Sequence, residues 1–276
     1  MKRLILSVIG FTLSIFAFSS NAGVFAYIPN STSNNVSVID TSNNTVTATV
    51  GVGILPVGVS VSPDGTKVYV SNSSDGTVSV IRTSDNTVTA TVGVGILPEG
   101  VSVSPDGRKV YVANTADNTV SVIRTSDNTV TATFGVGGPP VGISVSPDGT
   151  KVYVANNNNT VSIIRASDNT VTATVGVGNF PTGVSVSPDG TKVYVSNSSS
   201  NNVSVIRTSD NTVTATVGVG TTPYAFGNFI ATISSPLPPT PSPSPEPIPT
   251  LSEWAQFIMI LMMIGTVGWY TRRMYR

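Results

Sequence analysis

Histidine and cysteine are absent from all 276 residues, and charged side chains make up only 10% of them. Without imidazole or thiol there is no Ser-His or Cys-His nucleophile pair, no disulfide framework, no zinc site of the usual kind and no His or Cys ligand for a haem iron. Aromatic residues are scarce at 7%, and both tryptophans lie near the C-terminus. Lys+Arg and Asp+Glu balance at 14 each, but Lys2, Arg3, Arg272, Arg273 and Arg276 sit at the extreme ends. The middle is therefore slightly acidic, which argues against a nucleic-acid partner. Carboxylate chemistry and hard-cation sites survive these exclusions.

The two ends read as addresses. Lys2 and Arg3 precede an apolar run from Leu4 to Phe18, and Ser19-Ser20-Asn21-Ala22 offers small residues to a signal peptidase. Residues 1–22 are thus expected to be a secretory signal peptide, cut after Ala22. Near the other end, Trp254 to Tyr270 is apolar apart from Gln256 and Thr266, and arginines follow at once. At about 1.5 Å per residue this predicts a short transmembrane helix with its basic end in the cytoplasm, the tryptophans acting as interface anchors. Before it, Pro236 to Pro249 holds eight prolines in fourteen positions. Such a linker (235–249) is an extended spacer of roughly 40 Å at about 3.1 Å per residue.

The middle, 23–234, repeats itself. Tyr27, Tyr69, Tyr111, Tyr153 and Tyr194 are spaced by 42, 42, 42 and 41 residues, and the single deletion falls in the polar run Asn156 to Asn159. This is a period at which four-stranded propeller blades occur. Each copy holds four strand candidates, A to D. In the second copy Gly58 to Ser62 leads through Pro63-Asp64-Gly65 into Lys67 to Val70, then come Thr77 to Ile81 and Thr87 to Val92. Proline presets the first turn position and glycine accepts positive φ, so A and B form a tight hairpin. β-Branched residues on one face and Ser, Thr or Ala on the other allow both faces to be buried, as stacked blades require.

The first copy begins at strand B (Val24 to Ile28), and the last ends with a lone A candidate, Pro223 to Ile233. Three strands at one end and one at the other complete a blade. The predicted fold is all-β, a β-propeller of five four-stranded blades closed by the N-terminal B-C-D strands and the C-terminal A strand, plus one C-terminal transmembrane helix. An open arc closed by a second chain is the alternative.

The elements Tyr69-Val70-Ser71-Asn72, Tyr111-Val112-Ala113-Asn114, Tyr153-Val154-Ala155-Asn156 and Tyr194-Val195-Ser196-Asn197, each after a Ser-Pro-Asp-Gly turn, resemble the YVTN family of β-propeller repeats. The better-known members of that family have seven blades, and five copies depart from this. The run Ile248-Pro249-Thr250-Leu251-Ser252-Glu253-Trp254, followed by an apolar helix and an Arg-rich end, resembles the IPTL-type C-terminal sorting signal of Gram-negative bacteria over the last 29 residues, with 250–276 as the sorting-signal segment after the linker. That resemblance implies recognition, and cleavage, by an exosortase-like membrane enzyme; a permanent single-span anchor is the alternative.

Of twelve acidic residues between 23 and 234, eight lie in the repeated turns, and Asp40 occupies a place held by arginine in later copies. Asp75, Glu99 and Asp117 remain, and in the ring they fall on the face formed by the B–C and D–A connections. They are the candidate ligand-binding residues, with Ca²⁺ the one metal considered, although no EF-hand spacing supports it. The Asn- and Ser-rich loops of the same face suit sugar hydroxyls. Propellers of related sequence include haem-d₁ and copper reductases and lactonases, but the haem and copper enzymes use histidines that are missing here. The reading is therefore an exported, membrane-anchored propeller at the cell envelope or outer surface, without catalysis or cofactor, acting as a recognition or structural module toward a surface protein or glycan. A calcium- or sugar-dependent hydrolase or lactonase-like enzyme using Asp75, Glu99 or Asp117 is the rival.

Overall fold

The computed structural model describes residues 23–225 and 227–230, all within one compact unit, Met1–Ala231. The expected signal peptide, linker, sorting motif and membrane helix lie outside the described residues. Among those described, no helix is long and apolar enough to cross a membrane.

Five antiparallel sheets follow one another along the chain. The N-terminal sheet has three strands: β1 (Phe25–Asn30), β2 (Asn35–Asp40) and β3 (Thr45–Gly51). The first full sheet comprises β4 (Pro56–Val61), β5 (Lys67–Asn72), β6 (Thr77–Arg82) and β7 (Thr87–Gly93); the second, β8 (Pro98–Val103), β9 (Lys109–Asn114), β10 (Thr119–Arg124) and β11 (Thr129–Gly135). In the third are β12 (Pro140–Val145), β13 (Lys151–Asn156), β14 (Thr160–Arg165) and β15 (Thr170–Gly176), and in the fourth β16 (Pro181–Val186), β17 (Lys192–Asn197), β18 (Asn202–Arg207) and β19 (Thr212–Gly218). Every full sheet is a meander, as its turn chemistry predicts.

The turns show why these residues recur. Between β4 and β5 the Ser62 hydroxyl and the Thr66 N–H both donate to the Asp64 carboxylate, at 2.6 and 3.0 Å, while Gly65 takes φ +69°. After strand C, Arg82, Arg124 and Arg207 each fork onto the aspartate three residues on. These hydrogen bonds hold the Asp85 and Asp127 carboxyls down to about 2. The eight turn aspartates are thus architectural.

Neighbouring sheets stack face to face. Tyr69, Val78 and Val80 of the first sheet pack on Val101, Val110, Val112 and Ile123 of the second, and three other clusters join the remaining consecutive pairs. Lysines add a polar tie at each full junction: Lys67, Lys109 and Lys151 donate to the carbonyls of Thr125, Ala166 and Thr208 in the next sheet. Tyr69 and Tyr153 are fully buried at these junctions, and their hydroxyls find no partner among the described residues. An unpaired buried hydroxyl costs about 1–3 kcal/mol. Tyr153→Phe is therefore expected to leave stability unchanged or raise it by about 1 kcal/mol in thermal denaturation; a clear loss would show that something satisfies the hydroxyl in solution.

The closing blade departs from expectation. No strand forms over the described part of 223–230, so among the described residues the N-terminal sheet has three strands. The physical reason is Gly227, whose φ of +74° breaks the extended run. The segment nevertheless runs beside β16, where Thr182 Oγ1 donates to the Pro223 carbonyl at 3.4 Å and the Ser185 hydroxyl donates to Asn228 Oδ1 at 2.5 Å.

Candidate functional site

Strands β4, β8, β12 and β16 are the innermost of their sheets, and together with Gly227 and Asn228 they surround a chamber of about 540 Å³. Glycine permits this convergence. A Cβ at Gly142 would stand 2.6 Å from the Thr182 carbonyl oxygen, and one at Gly58, Gly100 or Gly183 would meet the next segment's carbonyl closer still. The chamber wall carries no charged side chain; valines and prolines alternate with Ser60, Ser102, Ser144 and Asn228. Two of these polar side chains are committed, since Ser60 Oγ accepts the Val103 N–H at 3.2 Å and Asn228 Oδ1 accepts from the Ser185 hydroxyl beside the wall. The hydroxyls of Ser102 and Ser144, on adjacent inner strands, meet no partner among the described residues and line the chamber.

The three carboxylates expected as a site have separate jobs. Asp75 accepts the Ile54 N–H at 2.6 Å and Asp117 accepts the Ile96 N–H at 2.7 Å. Each clamps a D–A connection onto its own B–C loop. Ser200 does the same for Asn179 in the fourth sheet, at 2.7 Å, so the role does not need a charge. Glu99 differs. It stands at the start of β8, half-buried, and burial raises its carboxyl pKa. Among the described residues no group of three or more acidic side chains gathers to hold a metal ion.

Sequence reasoning missed two features of this region. Ser102 and Ser144 looked like ordinary alternating strand residues; the signal was their place on the innermost strand. The D–A connections also expose Ile54, Leu55, Ile96, Leu97 and Phe180. Leu55, Leu97 and Phe180 hold φ of +57°, +53° and +54°, a region that costs an L residue roughly 1–2 kcal/mol. The N–H groups of Leu55 and Phe180 are held by Asn34 and Asn159 side chains, both at 3.0 Å. The asparagines of the loop face are thus partly structural.

Consecutive meander sheets around a central chamber define a β-propeller-like protein. The chain belongs to the Cytochrome D1 heme domain family, whose model matches residues 19–225. Members of that family are eight-bladed propellers, and five sheets are seen here. Among solved structures, hydrazine synthase of Kuenenia stuttgartiensis is similar at 18% identity with a TM-score of 0.55, over 72% of this chain and 84% of that one. A functionally unknown protein from Desulfotomaculum acetoxidans is similar at 22% identity with a TM-score of 0.58, over 66% of this chain and 64% of that one. No curated protein matches in sequence.

The family match corrects two expectations. A non-catalytic surface module without a cofactor is not what it points to; the family is a haem-binding one with redox enzymes among its relatives. A haem held by this chain needs a donor side chain for its iron. There is no His or Cys, and the five methionines, at 1, 259, 262, 263 and 274, lie outside the described residues. Tyr69, Tyr111 and Tyr153 are buried between sheets with pKa values pushed up to about 12, by burial first and by Asp64, Asp106 and Asp148 second. Such phenols resist the ionisation an iron ligand needs. The chamber also lacks a cation for the macrocycle's carboxylates. The described residues do not fit a haem ligated by this chain.

Proposed function

We propose that the protein serves a redox-related system by holding a small uncharged carbonyl compound of the quinone class in the central chamber. The observation that carries this is the pair of uncommitted hydroxyls, Ser102 and Ser144, in an uncharged wall made mostly of valine, isoleucine and proline, whose other polar side chains, Ser60 and Asn228, are already hydrogen-bonded. A flat apolar body suits such a wall, and two hydroxyl donors suit carbonyl acceptors. The family supports the redox setting. In the cell we place the chain as a YVTN-type repeat protein that is exported, cut after Ala22 and retained or processed through the IPTL-like segment, with intact mass of the native protein as the check. Asp75, Glu99 and Asp117 are kept as proposed ligand-binding residues of the loop face, Asp75 and Asp117 also holding the Ile54 and Ile96 N–H groups.

The test is isothermal titration of the full chain in detergent with menadione, and separately with haemin. Menadione is expected to bind one to one, and Ser102→Val with Ser144→Val to weaken it by about tenfold or more, two hydrogen bonds being worth about 1 kcal/mol each. Equal binding by the double variant, or no heat at all, sinks the proposal. A stoichiometric haemin complex with a sharp Soret band would return the site to the family's own cofactor.

A further inference from the structure

The junction between the second and third sheets breaks the repeat, in a cleft that shares Pro105 with the wall of the central chamber. In the other three full sheets a threonine follows strand C and donates to the A–B turn of its own sheet: Thr83 to Gly65, Thr125 to Gly107 and Thr208 to Gly190, at 2.7, 2.7 and 2.8 Å. Here the residue is Ala166. The cleft beside it has a volume of about 740 Å³, whereas the equivalent cleft beside Thr208 holds about 200 Å³.

Two side chains respond to that space. Arg82, Arg124 and Arg207 each donate through Nε and Nη2 to an aspartate and on to a threonine hydroxyl. Arg165 reaches Asp168 by Nη1 alone, at 2.8 Å, and its Nε and Nη2 meet no acceptor among the described residues. It lines the cleft. Tyr111, 1% exposed, also lines the cleft, and its hydroxyl has no partner among the described residues and is not sealed off as those of Tyr69 and Tyr153 are. Asp106, Asp148 and Lys109 line the same cleft, the Lys109 ammonium committed to the Ala166 carbonyl at 2.9 Å.

We infer that this cleft is a binding site for a small hydroxylated carboxylate, of the uronic-acid class. A guanidinium edge with two open donors matches a carboxylate. Asp106 and Asp148 keep acceptor capacity beyond the turn hydrogen bonds they already accept and can take hydroxyl donors, and the Tyr111 hydroxyl, open to the cleft, gains a partner. A plain anion meets the aspartates unfavourably, and a neutral sugar leaves the guanidinium edge open. The class follows from needing both.

The full chain should be titrated with D-glucuronate, using D-glucose and acetate as comparison probes. Glucuronate is expected to bind in preference to both. Arg165→Leu should weaken it roughly tenfold or more, since hydrogen bonds to charged groups are the strong ones. Ala166→Thr is the sharper variant, because it restores the repeat and supplies the missing donor to Gly149: it should keep or raise the melting temperature and yet weaken glucuronate to the level of glucose. Unchanged glucuronate affinity in Ala166→Thr overturns the inference, as does equal binding of acetate or no binding of glucuronate.

Discussion

Gly142→Ala is expected to lower the melting temperature by roughly 6–12 °C, from an overpacking cost of about 3 kcal/mol at roughly 2–4 °C per kcal/mol for a domain of this size. The new methyl would meet the Thr182 carbonyl oxygen at 2.6 Å, the Val184 nitrogen at 3.1 Å and Gly183 Cα at 3.2 Å. All three are backbone atoms of the adjacent inner strand, so no side chain can swing aside. The strands must part, and the chamber they surround must widen. Gly176 provides the comparison, for it ends the outermost strand of the same sheet with nothing within 4 Å of its would-be Cβ. Gly176→Ala should be neutral, or stabilising by about 0.5 kcal/mol through the unfolded chain. Similar melting of the two variants would mean that the inner strands do not converge as described.

That pair of glycines shows what could be read in advance. Both look alike in the sequence, each in a Val- and Gly-rich stretch, and the period of the tyrosines with the Ser-Pro-Asp-Gly turns was enough to lay out the strands of each copy. The turn residues were legible because their chemistry is local: Asp64 bonds residues two away on either side. The inner ring was not, because its spacing is a property of several sheets at once. The same holds for the site. Asp75 and Asp117 stood out as unrepeated charges, yet their bonds are to Ile54 and Ile96, 21 residues upstream, a relation that only the folded D–A connection creates. Ser102 and Ser144 stood out in nothing, and their meaning comes from what the strand faces. Ala166, one methyl and one hydroxyl short of its repeat position, was visible as a letter, but the space it opens was not.

Near-identical copies also conceal that the junctions are not equivalent. Ile81, Ile123, Ile164 and Ile206 are fully or almost fully buried in the four full sheets, and Ile39, their counterpart in the N-terminal sheet, is only partly so. On the far face of the fourth sheet Val217 is 49% exposed, against 6% and 7% for its counterparts Val50 and Val92. Lys192 repeats Lys67, Lys109 and Lys151 in sequence, but among the described residues it reaches no carbonyl. The face of the last sheet and the leading face of the first are those that would meet if the ring sealed. Ile164→Ala should therefore cost about 3–4 kcal/mol, the range for emptying a filled core position. Ile39→Ala should cost only about 1 kcal/mol, because its side chain has less to lose. Denaturant unfolding of the two variants measures the difference directly. Equal losses would show that the fourth and N-terminal sheets pack in solution as tightly as the others, and that the repeat, rather than the seam, governs the stability of the ring.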